Sequence, residues 1–166
     1  MSAVVAYLGL GSNVGDREQF LRSAIKSLEK ILYIRKISSI YESLSLKRDG
    51  QRNYYNVVME ANSGVEPFNL LEKIKVIEKQ IGRRSRERWG QREIDIDIID
   101  IDGIFLDTHA LTLPHADMFK RSFVLYPLLE LNPNYVHPTI MKPIKKLIDE
   151  ISDNLDIKII GELKWQ

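Results

Sequence analysis

The sequence predicts an α+β fold: a ferredoxin-like βαββαβ sandwich with a C-terminal extension of hairpin and short helices. Three observations carry this expectation. Apolar residues alternate between the two-residue period of strands and the 3.6-residue period of helices, in the order strand, helix, strand, strand, helix, strand. The two adjacent strand segments are joined only by the polar stretch Lys47 to Arg52, as in a hairpin. Finally, Pro114, Pro127, Pro133, Pro138 and Pro143 break the last third into short pieces that can only wrap a framework already formed. With 166 residues the chain reads as one domain, 1–166, large enough to bury roughly 70% of its unfolded surface.

Each element has its own signal. Ala3 to Leu10 is an apolar run broken by Gly9, Gly11 and Gly15, a buried strand feeding a tight strand-to-helix turn. Asp16 caps the next helix, with Gln19 completing a capping-box pattern, and Phe20, Leu21, Ala24, Ile25, Leu28 and Ile31 fall at helical spacing. Ile34 to Leu46 and Tyr54 to Ala61 are the hairpin strands. Pro67 opens the second helix, Leu71, Ile74, Ile77 and Ile81 share its buried face, and Gly82 stops it. Arg83 to Arg92 is a loop and Ile94 to Ile101 a strand. Asp102-Gly103 signals a hairpin turn before Ile104 to Leu106, and a segment around Ile157 to Ile160 is suited to a sheet edge.

The chemistry is concentrated where the arginine loop meets the last framework strand. Asp95 and Asp97 stand two residues apart, so they share a face, while Ile94, Ile96 and Ile98 point the other way. Two neighbouring carboxylates suit a hard divalent cation shared with phosphate oxygens; taken alone they also suit a solvated strand face. Without a bulge, Asp100 and Asp102 fall on the opposite face and are set aside as ligands. The loop from Gly82 to Arg92 holds five arginines, whose forked guanidinium groups match phosphate geometry, and its glycines suit a lid. It equally fits a basic surface loop paired with acidic neighbours. Tyr54 and Asn56 share a strand face, an aromatic beside an amide, as a flat heterocycle requires or as any half-buried strand provides. His115 and Arg121, in Pro114 to Phe123, suit phosphate contacts, although His115 reads equally as a turn cap. His109 and His137 are taken as surface or turn residues.

Composition removes several classes. The chain has no cysteine, which excludes disulfides, thiolate metal sites and cysteine nucleophiles. A formal net charge of +1 argues against a nucleic-acid coat or a membrane-surface binder. No apolar run approaches the roughly 20 residues of a membrane span, and Val4 to Leu10 is too short for a signal-peptide core. A reducing cytoplasm is the expected location. With no extended apolar face left after the elements pack, a monomer is expected.

With these pieces assembled, the chain resembles the 6-hydroxymethyl-7,8-dihydropterin pyrophosphokinases of folate biosynthesis, also called 2-amino-4-hydroxy-6-hydroxymethyldihydropteridine diphosphokinases. The resemblance rests on Gly11 to Asp16, Tyr54-x-Asn56, Gly82-Arg83, Arg88-Trp89-Gly90-x-Arg92-x-x-Asp95-x-Asp97, Leu113-Pro114-His115 and Arg121-x-Phe123. It implies transfer of pyrophosphate from ATP to the pterin hydroxymethyl group, with release of AMP. Asp95 and Asp97 would then hold two magnesium ions. Tyr54 and Phe123 would sandwich the pterin, with Asn56 and backbone groups near Ser43, Leu44 and Leu46 reading its edge. Arg92, His115 and Arg121 would contact phosphates, Ile98 and Thr112 would lie against adenine, and Glu78 would sit near the nucleotide. Arg83, Arg86 and Trp89 would belong to a mobile lid, with Arg83, Arg86 and Arg92 serving catalysis. Two positions depart from the family pattern: Gln91 replaces a customary proline, and Ser43-Leu44-Ser45 replaces a Thr-Pro-Pro-like segment. The implied partners are ATP and 6-hydroxymethyl-7,8-dihydropterin, with no nucleic acid and no membrane. A non-catalytic RNA-binding or small-ligand domain on the same topology is the competing reading, distinguished by the absence of nucleotide turnover.

Overall fold

The computed structural model describes residues 3–45, 50–84, 90–153 and 155–165. Its framework is β1 (Val4–Ser12), α1 (Arg17–Leu28), β2 (Tyr33–Ile37), β3 (Ser39–Ser43), β4 (Tyr54–Ser63), α2 (Pro67–Ile81) and β5 (Asp95–Ile101). The remainder comprises β6 (Leu106–Asp107), β7 (Thr112–Leu113), a 3₁₀ turn (Met118–Lys120), α3 (Ser122–Leu131), β8 (Val136–His137), β9 (Lys142–Pro143), α4 (Ile144–Asp149) and β10 (Lys158–Glu162). The main sheet runs β10-β3-β4-β1-β5, with β2 also on β4, and its pairings are antiparallel. This is a mixed α and β architecture with four helices.

Strand alternation sorts the apolar residues into two cores. Ala6, Leu8 and Leu10 of β1, Val57, Met59 and Ala61 of β4, and Ile96, Ile98 and Ile101 of β5 face α1 and α2. There they meet Leu21, Ala24, Ile25, Leu28, Leu70, Ile74 and Ile77. Tyr7, Val58 and Ile99 face the other way, toward Val124, Leu125, Leu128, Leu131 and Ile144 of α3 and α4. The C-terminal third therefore covers one end of the second sheet face and leaves the other end open.

Local signals behave largely as the residue types require. Asp16 accepts the Gln19 N–H at 3.0 Å and caps α1, but the Gln19 amide goes to Ser23 and does not close a reciprocal box. Helix α1 stops at Leu28, three residues before Ile31. The Ile34 to Leu46 segment divides at Ser38, where the hydroxyl accepts the Val58 N–H at 3.0 Å; both halves still pair with β4. Pro127 lies inside α3 and does not break it, because the burial of Val124, Leu125, Leu128 and Leu131 outweighs one missing helix bond. The Asp102-Gly103 turn forms, yet Leu106 and Asp107 pair with β7 and not with β5. Ile104 and Leu106 are drawn aside to pack against the helix-side core.

One irregularity overturns the strand phase expected for Asp100. Gly9 pairs with Asp97 and Leu8 with Ile98, but Tyr7 pairs with Asp100, so Ile99 is an extra residue, a β-bulge. The bulge returns Asp100 to the face of Asp95 and Asp97, where its carboxylate accepts the Tyr135 hydroxyl at 2.6 Å. Asp102 is exposed at the turn, its N–H bonded to the Val5 carbonyl.

Candidate active site

The open end of the second sheet face is a cleft of about 260 Å³, and cross-strand register explains its floor. Residues opposite one another in antiparallel strands share a face. One row across the sheet is Asn56, Gly11, Asp95; the next is Val58, Gly9, Asp97. The two glycines, expected to serve a strand-to-helix turn, instead lie inside β1 and remove the side chains that would fill the trough beside the aspartates. Their signal was legible only once register was known. Gly11 in particular has no room for more: a Cβ there would stand 3.1 Å from Asn56 Oδ1 and 3.4 Å from Tyr54 Cδ1.

The heterocycle-like end is held by hydrogen bonds that fix orientation. Asn56 Nδ2 donates to the Tyr41 carbonyl at 3.2 Å and to Ser43 Oγ at 2.9 Å. A main-chain carbonyl can only accept, so the amide oxygen is the end turned toward Gly11 and the cleft. Tyr54, Ser43, Leu44 and Phe123 line the same cavity. Burial, with Asp95 nearby, pushes the Tyr54 phenol up to about 12, so it stays neutral. The Leu44 N–H is already committed to the Leu155 carbonyl at 2.9 Å, which leaves only its carbonyl to meet a ligand. Leu46 lies outside the described residues.

The acidic end is governed by crowding. Gly82, with φ +107°, closes α2 so that the Arg83 N–H reaches the Glu78 carbonyl at 3.0 Å and the side chain turns back into the cleft. Its guanidinium pairs with Glu78 and, at 2.9 Å, with Asp95. Glu78 is buried and accepts the Ile96 N–H at 2.8 Å. Burial raises the Glu78 pKa, against the pull of that bond and of Arg83. Asp97 is hemmed in further: burial, then Asp95 and Glu78, push its carboxyl up to about 8 despite Arg83. Burial opposes the charge on Arg83, but Asp95 and Glu78 more than reverse that effect. Glu78 and Asp95 thus share the Arg83 guanidinium, with Asp97 close by.

The remaining wall comes from Arg92, His115 and Arg121, all of which line the cleft. Asn13, fully buried, receives the Arg92 N–H at 2.7 Å and donates its own N–H to the Arg92 carbonyl at 3.1 Å, pinning that residue to the end of β1. Its amide also donates to Gln51 at 3.1 Å. His115 Nδ1 accepts the Asp117 N–H at 3.2 Å, and burial lowers its pKa. It is thus both the turn cap and a ring whose Nε2–H is left for the cleft. Three residues expected near the nucleotide do not line this cavity. Glu78 stands behind Arg83. The Ile98 side chain is buried in the helix-side core, so only its backbone can meet a ligand. Thr112 lies on β7, its hydroxyl directed to the Thr108 carbonyl. Arg86, Arg88 and Trp89 fall outside the described residues.

Residues 7–133 match the family model described as 7,8-dihydro-6-hydroxymethylpterin-pyrophosphokinase. The 2-amino-4-hydroxy-6-hydroxymethyldihydropteridine pyrophosphokinase of Aquifex aeolicus is 47% identical over 144 residues, covering 87% of this chain and 90% of the relative. The Bacillus subtilis enzyme of the same name is 40% identical, covering 76% and 77%. A solved structure of a Plasmodium falciparum HPPK-DHPS triple mutant superposes with a TM-score of 0.71 at 17% identity. It covers 89% of this chain, which spans only 43% of that longer protein.

Two outcomes follow from this geometry. Gly11→Ala should displace the Asn56 oxygen and the Tyr54 ring and weaken pterin binding roughly tenfold, about 1.4 kcal/mol; calorimetric titration showing wild-type affinity would contradict it. For Asp97 the unfolded carboxyl ionises near 3.8 and the folded one near 8. Across that window the folded chain retains a proton the unfolded chain has lost, so this group's contribution to stability falls as pH rises. Without divalent cation, Asp97→Asn should therefore match wild type at pH 4 and melt about 3–6 °C higher at pH 8.5. A difference in melting temperature that does not vary with pH would refute the crowding.

Proposed function

The chain belongs to the 7,8-dihydro-6-hydroxymethylpterin-pyrophosphokinase family, and we propose that the cleft running from Tyr54 to Arg121 is where it acts. It is an ATP-dependent pyrophosphokinase, transferring pyrophosphate from ATP to the hydroxymethyl group of 6-hydroxymethyl-7,8-dihydropterin in folate biosynthesis. The observation that carries the assignment of the site is the meeting, in one cavity, of an aromatic–amide pair with paired carboxylates facing arginines.

In this reading the pterin lies between Tyr54 and Phe123 and presents its donor edge to the Asn56 oxygen. Ser43 keeps that amide turned, and the Leu44 carbonyl adds a second acceptor. The hard oxygens of Asp95 and Asp97, too crowded to ionise together unaided, suit magnesium, and we assign two ions to them. When bound, these ions would neutralise charge on the triphosphate. Arg92, Arg121 and the Nε2–H of His115 grip phosphate oxygens. Arg83, drawn by the same oxygens, would leave Asp95 to meet them. Glu78 holds Arg83 near the nucleotide, while the Ile98 backbone and Thr112 bound the adenine.

Catalysis is then chiefly positioning and charge neutralisation. The pterin hydroxymethyl oxygen loses its proton to water and bonds to the β-phosphorus in line, the bond from that phosphorus to the α–β bridging oxygen breaks, and AMP departs with the bridge oxygen.

The sheet order supports reading the framework as ferredoxin-like. The same reading takes residues 1–166 as a single domain, a cytoplasmic monomer acting on two small molecules without nucleic-acid or membrane partners. An RNA-binding role is not favoured, because Asp95 and Asp97 occupy the strand face where such modules stack bases on aromatics.

Protein, Mg-ATP and the pterin should yield AMP in step with pterin consumption; ADP as the product would contradict the assignment. In the same assay Arg92→Ala should lower kcat roughly a hundredfold with a far smaller change in pterin KM, and an unchanged kcat would remove its role.

A further inference from the structure

Below the cleft, and touching none of it, lies a third cross-sheet row: Glu60, Tyr7, Asp100. Asp100 is buried, as are its neighbours Tyr7 and Tyr135. Nothing in the reaction uses them. The row exists only because of the bulge. In unbulged alternation Asp100 would enter the helix-side core between Ile98 and Ile101, where a carboxylate finds no donor. With Ile99 taken up as the extra residue, Ile101 fills that core and Asp100 meets the Tyr135 hydroxyl at 2.6 Å.

Two consequences reach the cleft. Ile99 lies against Gly9, its Cδ1 3.4 Å from the position a Cβ would take, and its carbonyl accepts the His115 N–H at 2.8 Å. Tyr135 also stacks on Phe119, with centroids 5.8 Å apart and planes inclined by 11°. Phe119 belongs to the 3₁₀ turn whose Met118 carbonyl accepts the Arg121 N–H at 3.1 Å.

We propose that Tyr135 and Asp100 are a positioning pair for the phosphate-side wall of the cleft, setting His115 through the Ile99 bulge and Arg121 through Phe119. Neither residue touches a substrate. The inference rests on His115 and Arg121 being triphosphate contacts.

Tyr135→Phe keeps the ring contacts with Tyr7 and Phe119 and deletes only the hydroxyl. It should lower protection of the His115 amide from hydrogen exchange about tenfold and reduce kcat about tenfold, with pterin KM within about twofold. Asp100→Ile should do the same, and Asp100→Asn, which retains an oxygen acceptor for Tyr135, should restore both readouts. Glu130→Gln weakens another tyrosine–carboxylate contact, a part-buried one with Tyr41 that Ser39 also joins, and should lower stability while leaving kcat and His115 exchange unchanged. If the His115 amide stays protected in both Tyr135→Phe and Asp100→Ile, the positioning role is overturned. Lost protection with unchanged kcat instead overturns the triphosphate role of His115 on which the inference stands.

Discussion

The structure depends most on the mutual repulsion of Asp95, Asp97 and Glu78 around the Arg83 guanidinium. Each feature nearby serves to hold these charges together. Glu78 is anchored by the Ile96 N–H, the left-handed Gly82 turns Arg83 back among the carboxylates, and Gly9 and Gly11 keep the space beside them clear. A folded chain that keeps Asp97 so reluctant to ionise stores unfavourable energy at the site. Cations brought by a substrate can relieve it. On the proposed reading, binding of a charged nucleotide and relief of the carboxylates would be one electrostatic event, concealed in the chain's near-neutral total charge because the opposing charges are segregated within a few residues.

The other end of the cleft works by fixed orientation. Asn56 cannot rotate without leaving the Tyr41 carbonyl and Ser43 hydroxyl unmatched. Its oxygen is therefore presented to the cleft before any ligand arrives. Asn13 does the same for the Arg92 backbone, accepting its N–H and donating to its carbonyl. Gln91 lies beside this anchor, so the Asn13 bonds constrain the chain there.

Much of this was legible in the sequence, because it depends on period and on residue type. Alternation alone paired Asp95 with Asp97 and Tyr54 with Asn56, and helical spacing found both framework helices. What escaped were features set by pairing between distant strands. The glycines of β1 looked like a turn because nothing in the local sequence shows that they stand opposite Asn56, Asp95 and Asp97. The bulge at Ile99 was equally hidden: two isoleucines in succession carry no mark of which is extra, and the decision is made by Tyr135, thirty-five positions beyond Asp100. Competition for backbone groups was also invisible, as with the Leu44 N–H taken by Leu155, and so was the tolerance of Pro127 within a well-packed helix.

The central claim is that Asp95 and Asp97 together hold the metal ions that accompany ATP. Manganese can stand in for magnesium in electron paramagnetic resonance, with a non-hydrolysable ATP analogue and pterin present. The account predicts two ions per chain, close enough (about 3.5–4 Å) for their spins to couple, and loss of that coupled signal in Asp97→Asn. A coupled pair of full strength in the variant would contradict it.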